Sequence, residues 1–267
     1  MRDGKVVEPR LVPGYGSETA RRLQERVARA LPAEHVERLG DWWLRHAPSA
    51  SWWTSTVLPH GVLGGDWLMR AVSAAEGFYV GFGRAATFQI TPGACPVELD
   101  ALLAERGYYR HTLMSLWAAA VDDVRARART SGARTQLVES PAAGWFDVWH
   151  AVHGDGGDRR PEWEMLARGQ QPSAYAGVLD GGELVAVGRA VVDSGWAGVF
   201  GMATLPRARG RGAAGDVLES LADWASGLGA GGMYLRVDVD NTSALRLYER
   251  VGFTEVCRYH YRSETLS

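Results

Sequence analysis

The residues best suited to chemistry lie between Met202 and Phe253. Arg209-Gly210-Arg211-Gly212-Ala213-Ala214-Gly215 is preceded by an apolar run, Gly198 to Pro206, and followed by a helix-like run, Asp216 to Ala225. A strand that feeds a tight turn, which in turn opens a helix, gathers unpaired backbone N–H groups and the positive end of a helix dipole at one point. Such a point suits a pyrophosphate and needs no catalytic side chain. Glycines at 210, 212 and 215 remove the Cβ atoms that would hold a phosphate off, and Arg209 and Arg211 add charge at the rim. Two other nucleotide motifs are excluded. No lysine follows the glycines, as the G-x-x-x-x-G-K-S/T loop requires, and too little chain follows Gly215 to build a Rossmann sheet.

The residues after the helix extend the pattern. Gly231-Gly232 turns the chain, and Met233 to Val239 alternates like a strand. Asn241 reads as a helix N-cap, with Ala244, Leu245 and Tyr248 on one face of the helix that follows. Gly252 stops that helix and Phe253 starts a last strand.

With these residues in place, the chain resembles the GCN5-related N-acetyltransferase (GNAT) superfamily. The acyl-CoA signature of that family, Gln/Arg-x-x-Gly-x-Gly/Ala, is matched at Arg209, Gly212 and Ala214, three residues after Pro206. A second signature, N-x-x-A-x-x-x-Y-x-x-x-G-F, is matched at Asn241, Ala244, Tyr248, Gly252 and Phe253. The resemblance implies an α/β fold with a central mixed sheet flanked by helices, and acetyl-CoA as co-substrate in a gap between two splayed strands. It implies a pyrophosphate contact along Arg209, Gly210, Arg211, Gly212, Ala213, Ala214 and Gly215. It places the thioester carbonyl on a backbone N–H of Met202 or its neighbour Ala203, with Thr204 among the pantetheine contacts. Tyr248 takes the position of the family tyrosine that protonates the leaving thiolate; the plainer reading is a core aromatic. Asn241 either touches the CoA arm or only caps its helix.

Acyl transfer also needs a base for the attacking amine. Many family members carry a glutamate on the central strand, but Trp196 to Gly201 holds no carboxylate here. A water relay, or a side chain from the loop between the first two helices of this half, is expected instead. His153, Asp155, Asp158, Glu162 and Glu164 lie there. Histidine ordinarily titrates near neutrality. Trp145, Trp149, Trp163 and Trp196 are expected near the acceptor, where rings could hold an aromatic or cationic amine, or simply pack.

The elements that must position these groups occupy a chain of 267 residues, 46% hydrophobic and 22% charged, with net charge -2. That is room for one large domain or two small ones, without a basic footprint for nucleic acid. Lys5 is the only lysine among many arginines. Cys95 and Cys257 have no metal-ligand spacing, so no metal is expected. No apolar run reaches membrane-spanning length and no signal-like segment opens the chain, so a cytoplasmic protein is expected, with the oligomeric state open.

Arg21 to Leu31 reads as an amphipathic helix. Asp41 to His46 and Trp52 to Leu58 read as strands, as do Thr87 to Ile90 and Leu113 to Ala120. In each tryptophan pair, Trp42-Trp43 and Trp52-Trp53, one ring should face inward and one outward. Leu99 to Ala104 is helix-like. Glu105-Arg106-Gly107-Tyr108 echoes Glu249-Arg250-Val251-Gly252-Phe253, which suggests two copies of one fold. The first half lacks the pyrophosphate turn, so residues 1–125 are expected to be a degenerate GNAT-like domain. It is similar to the N-terminal half of tandem acetyltransferases of actinobacteria. Residues 126–267 would be the catalytic domain, with Asp122 to Arg134 as linker. In this second half, helices are expected over Pro141 to His153 and Pro161 to Arg168, a hairpin over Ala174 to Val192, and a strand over Trp196 to Leu205. The expected activity is acetyl transfer from acetyl-CoA to a primary amine of a small molecule. Acetylation of a protein or peptide amine, or a non-catalytic acyl-CoA-binding module, are the alternatives.

Overall fold

The computed structural model describes residues 8–12, 15–48, 52–62, 64–128, 131–154 and 158–264. The N-terminal part contains β1 (Arg10–Leu11), α1 (Ser17–Ala30), β2 (His35–Leu39), β3 (Trp42–His46), β4 (Val57–Leu58), α2 (Gly65–Val80), β5 (Thr87–Ile90), α3 (Leu99–Glu105) and β6 (Tyr109–Ala120). There follow α4 (Val121–Arg127), β7 (Arg134–Val138), α5 (Ala143–His153), α6 (Arg160–Ala167), β8 (Ser173–Asp180), β9 (Glu183–Asp193) and β10 (Trp196–Thr204). The last elements are α7 (Ala213–Gly227), β11 (Gly232–Asp238), α8 (Thr242–Arg250) and β12 (Thr254–Ser263). The strands make one mixed sheet in the order β2-β3-β4-β5-β12-β6-β11-β10-β9-β8-β7, with β1 along β12.

Helical spacing decides which residues dock on the sheet. In α1, Ala20, Leu23, Val27 and Ala30 recur on one stripe and are buried. In α7 the stripe is Val217, Leu218, Leu221, Ala222 and Ala225. Burying each of the larger side chains contributes about 1.5–3 kcal/mol. One face of the sheet carries α1, α5 and α6; the other carries α2, α3, α7 and α8.

The sequence echo is also a structural one. After α3, the Gly107 N–H bonds the Ala104 carbonyl and the Tyr108 N–H bonds the Leu103 carbonyl. After α8, the Gly252 N–H bonds the Glu249 carbonyl and the Phe253 N–H bonds the Tyr248 carbonyl. Both glycines have positive φ, +87° and +98°, as such caps require. The strands that follow are exchanged. β6 pairs antiparallel with β11 along Met114 to Ala120, and β12 pairs with β5 through His260 to Ser263. β6 and β12 pair with each other at the centre. We keep 1–125 and 126–267 as a proposed division between sequence repeats; β6 and β12 tie the two together.

Several local expectations change. Trp52–Thr54 is a short 3₁₀ turn, not the start of a strand, because Ser55 bonds back to Trp52 and Ala47. The expected linker begins as helix α4, held against α7 by an Arg125–Asp223 ion pair. Helix α2 and strands β2 and β7 have no counterpart in the sequence reading: Gly65 opens α2, and β2 and β7 are short edge strands with mostly exposed side chains.

Candidate active site

Strands β10 and β11 pair in parallel only at Trp196–Gly198 with Gly232–Tyr234. Beyond that point β10 follows β9 and β11 follows β6 as far as Asp238, so Val199–Thr204 and Leu235–Asp238 diverge. The gap opens where β10 also carries a bulge, between Phe200 and Ala203.

Helix α5 holds that bulge. Trp145, Trp149 and His153 stand at i, i+4 and i+8, one stripe of the helix. The Trp145 indole N–H bonds the Gly188 carbonyl at 3.1 Å, on the strand opposite the bulge. Gly201 has φ +60°, and a Cβ there would lie 3.1 Å from the Trp145 ring and 3.2 Å from that of Trp149. His153 donates Nε2–H to the Met202 carbonyl at 3.0 Å. The ladder resumes at Ala203, which pairs with Val187, and Leu205 N–H bonds the Val185 carbonyl. By strand alternation from Ala203 onward, Ala203 and Leu205 aim their backbone groups at β9 and Thr204 aims its own away, while Met202 lies in the bulge with its carbonyl on His153.

The turn after β10 has the expected form. Pro206–Ala208 makes one 3₁₀ turn, Gly210 has φ +74°, and Gly212, the N-cap of α7, has φ +91°. Among the described residues, the N–H groups of Gly210, Arg211, Gly212, Ala213 and Ala214 have no hydrogen-bond partner. They are donors at the positive end of a helix of 15 residues, and fit a pyrophosphate. The Gly215 N–H is spent on the Gly212 carbonyl at 2.7 Å. Arg209 folds back to the Thr204 carbonyl at 3.1 Å, and Arg211 lies 3.9 Å from Asp180, both exposed. Asp216, in the first turn of α7, is buried and takes its bonds from Ser131. Ser131 also sits beside Gly212, 3.2 Å from where a Cβ would be.

On α8, the Asn241 side chain accepts the Ala244 N–H at 3.1 Å, so it caps the helix. Tyr248 is 7% exposed, in the same apolar cluster as Val199, Leu235, Val237 and Phe253 from the gap and its flanks. Burial pushes its phenol up to about 12.

Of the expected bases, His153 touches β10. Asp158 is exposed and bound to Arg160, whose hydrogen bond holds its carboxyl below the usual range. Glu164 is exposed and Glu162 half-buried on α6, and Asp155 lies outside the described residues. Trp145, Trp149 and Trp163 do gather around Phe146, on the α5 face of the sheet. Trp196 does not join them: its ring packs over Gly232 at the opposite end of β10, where only a glycine leaves room. Trp42 is fully buried and Trp43 half-buried under Arg38, as strand alternation requires. The i, i+4, i+8 spacing of Trp145, Trp149 and His153 is the signal that could have marked α5 as the support of the bulge. Among the described residues no cluster of potential metal ligands occurs, and no helix is long and apolar enough to cross a membrane.

Strands that part beside a glycine turn with free N–H groups define an acetyltransferase fold, and comparison with known proteins agrees. Residues 138–253 match the model of the Acetyltransferase (GNAT) family. Over that span, which is less than half of its length, the chain is similar to the GNAT superfamily. It is 27% identical over 249 residues to the uncharacterized N-acetyltransferase YobR of Bacillus subtilis (strain 168), covering 91% of this chain and 97% of that protein. Its fold is similar to that of a GCN5-related N-acetyltransferase from Kribbella flavida, with TM-score 0.71 at 17% identity, over 96% of this chain and 98% of that one. It is also similar to a tandem GNAT protein from the clavulanic acid biosynthesis pathway, with TM-score 0.59 at 13% identity, over 97% and 100% of the two chains.

Proposed function

We propose that the chain transfers an acetyl group from acetyl-CoA to a primary amine of a small molecule. The observation that carries this reading is the parting of β10 from β11 directly beside a turn with unpartnered N–H groups, with Tyr248 at the gap. Acetyl-CoA supplies the activated carbonyl: a C–N bond forms to the amine as the C–S bond breaks. The turn Gly210–Ala214 would hold the pyrophosphate through backbone N–H groups. Met202, in the bulge beside the gap, would hold the carbonyl oxygen through its N–H, and Thr204 would contact the pantetheine arm. His153 would take the proton of the amine at Nδ1 while its Nε2–H stays on the Met202 carbonyl, which also steadies the charged ring. Tyr248 would give its proton to the departing sulfur.

The test is thiol release from acetyl-CoA across small amines and a peptide with a free amine. Release with small amines, and N-acetyl product by mass, is the expected result. Release with the peptide alone would make the chain a peptide acetyltransferase. Tight acetyl-CoA binding without release for any amine would make it a non-catalytic acyl-CoA-binding module.

A further inference from the structure

A polar cavity lies between α1 and the sheet, where strands of both halves meet. Its walls include Arg45 from β3, Gln89 from β5, Tyr259 from β12, Arg236 from β11 and Trp53 from the 3₁₀ turn. Its interior has space for about one water-sized group. That is room for one small polar group, not for a whole metabolite.

The cavity is cationic and unbalanced. Arg45 is 3% exposed, and burial lowers its guanidinium to about 10. Its one hydrogen bond among the described residues goes to the Leu31 carbonyl, at 2.9 Å. Arg236 is half-buried and close enough to disfavour the charge on Arg45. Its guanidinium stands 5.7 Å from the Trp53 ring centre and beside the Tyr261 hydroxyl. Among the described residues, no aspartate or glutamate lines the cavity. Buried cations without a carboxylate are costly, and they favour an anion that brings its own charge. Gln89 adds a side-chain NH₂ with no partner among the described residues.

Position links this cavity to the gap. The last residue of β11 paired with β10 is Tyr234, and Arg236 is two residues further on the same face. At strand rise that is about 6.6 Å beyond the point of divergence. Arg236 therefore stands both at the edge of the gap and in the cavity wall. We propose that the acceptor amine also carries a carboxylate, and that this carboxylate docks on Arg236 and Arg45 under Trp53, leaving the amine toward the gap. The inference rests on the proposed acetyl transfer, and it makes the first half part of the acceptor site.

Matched ligands test it, with two readouts. Amino acids with a free carboxylate are compared with their primary amides, first for turnover with acetyl-CoA and then for binding by calorimetry with CoA present. The carboxylate members should bind, and their kcat/KM should exceed that of the amides about 10–100-fold, the range of a charge-assisted pair, mainly through KM. Arg236→Gln should erase that preference, and Arg236→Glu should turn it toward diamines, a gain that misfolding does not produce. Equal binding of acids and amides by the wild-type chain overturns the inference, as does a preference that survives Arg236→Gln. Acetylation that ignores the carboxylate sinks this inference alone. A complete lack of turnover sinks the proposed function, and the calorimetry then still decides whether the cavity takes carboxylates.

Discussion

His153 Nε2 lies 3.0 Å from the Met202 carbonyl oxygen, so the last residue of α5 is tied to the bulge of β10 at the edge of the gap. A carbonyl only accepts, so this bond puts the proton on Nε2 and leaves Nδ1 as the basic nitrogen. The same helix presses Trp145 and Trp149 on Gly201. The proposed base and the proposed carbonyl-binding backbone thus share one support.

That link separates two roles of His153. His153→Gln keeps a donor for Met202 but has no basic nitrogen. If His153 accepts the amine proton, kcat should fall about 10²–10⁴-fold in His153→Gln and His153→Ala alike. Steady-state turnover of both variants checks it. Near-normal activity in the glutamine variant would reduce His153 to a positioning residue.

Gly212→Val should abolish acetyl-CoA binding. Valine at φ +91° is strained, its Cβ would meet Ser131 N at 3.2 Å, and its bulk would stand at the free N–H groups. Calorimetry should show no binding in a variant whose circular dichroism remains native. Unchanged affinity would move the phosphate site elsewhere.

Tyr248→Phe should lower kcat about 10²–10⁴-fold with little change in acetyl-CoA affinity, because only the hydroxyl is removed. Burial raises the phenol from 10.0 to about 12, so the folded protein holds this proton more tightly than the unfolded chain does. The resulting stabilisation is present below pH 10 and is lost as the pH rises through about 12. Alkaline denaturation of the wild type and of Tyr248→Phe measures this: the wild type should lose the more stability across that window. Unchanged turnover on a substrate limited by chemistry would leave Tyr248 a core aromatic.

Residues 126–267 expressed alone should aggregate. Without β6, strand β11 loses its antiparallel partner along Gly232–Asp238 and presents a bare edge, and β12 loses β1, β5 and β6. Co-expression with residues 1–125 should restore solubility and activity together. A soluble, fully active fragment would show that the first half builds no part of the site.

One CoA should bind per chain. In the first half, β4 meets β5 at Val57 and Phe88, and buried polar side chains fill the space near that pair. Fully buried His60 bonds Gln24 at 3.1 Å, and Gln24 bonds Thr91 at 2.7 Å. Asp66 in the first turn of α2 and Asp41 beside Gly61 would repel phosphates. The position matching Tyr248 is Leu103, by the shared cap bonds. A calorimetric stoichiometry of two would contradict this.

The sequence by itself determined the local units. The Arg209–Gly215 turn, the Asn241 cap and the Gly107 and Gly252 stops depend on residue type and on bonds spanning a few residues, so they are legible along the chain. So are the stripes of α1 and α7, because helical periodicity writes burial into spacing. Tertiary structure alone decided what lies far apart in sequence but close in space. Exchange of β6 and β12 is invisible locally, since an apolar strand pairs equally well with either neighbour. Trp196 and Trp145 carry the same side chain, yet Gly232 receives one and the β10 bulge the other. Arg45 and Arg236 look like ordinary surface arginines in the sequence. Only the packing of α1 over strands from both halves buries them together without a carboxylate, because burial and charge balance are properties of the assembled sheet.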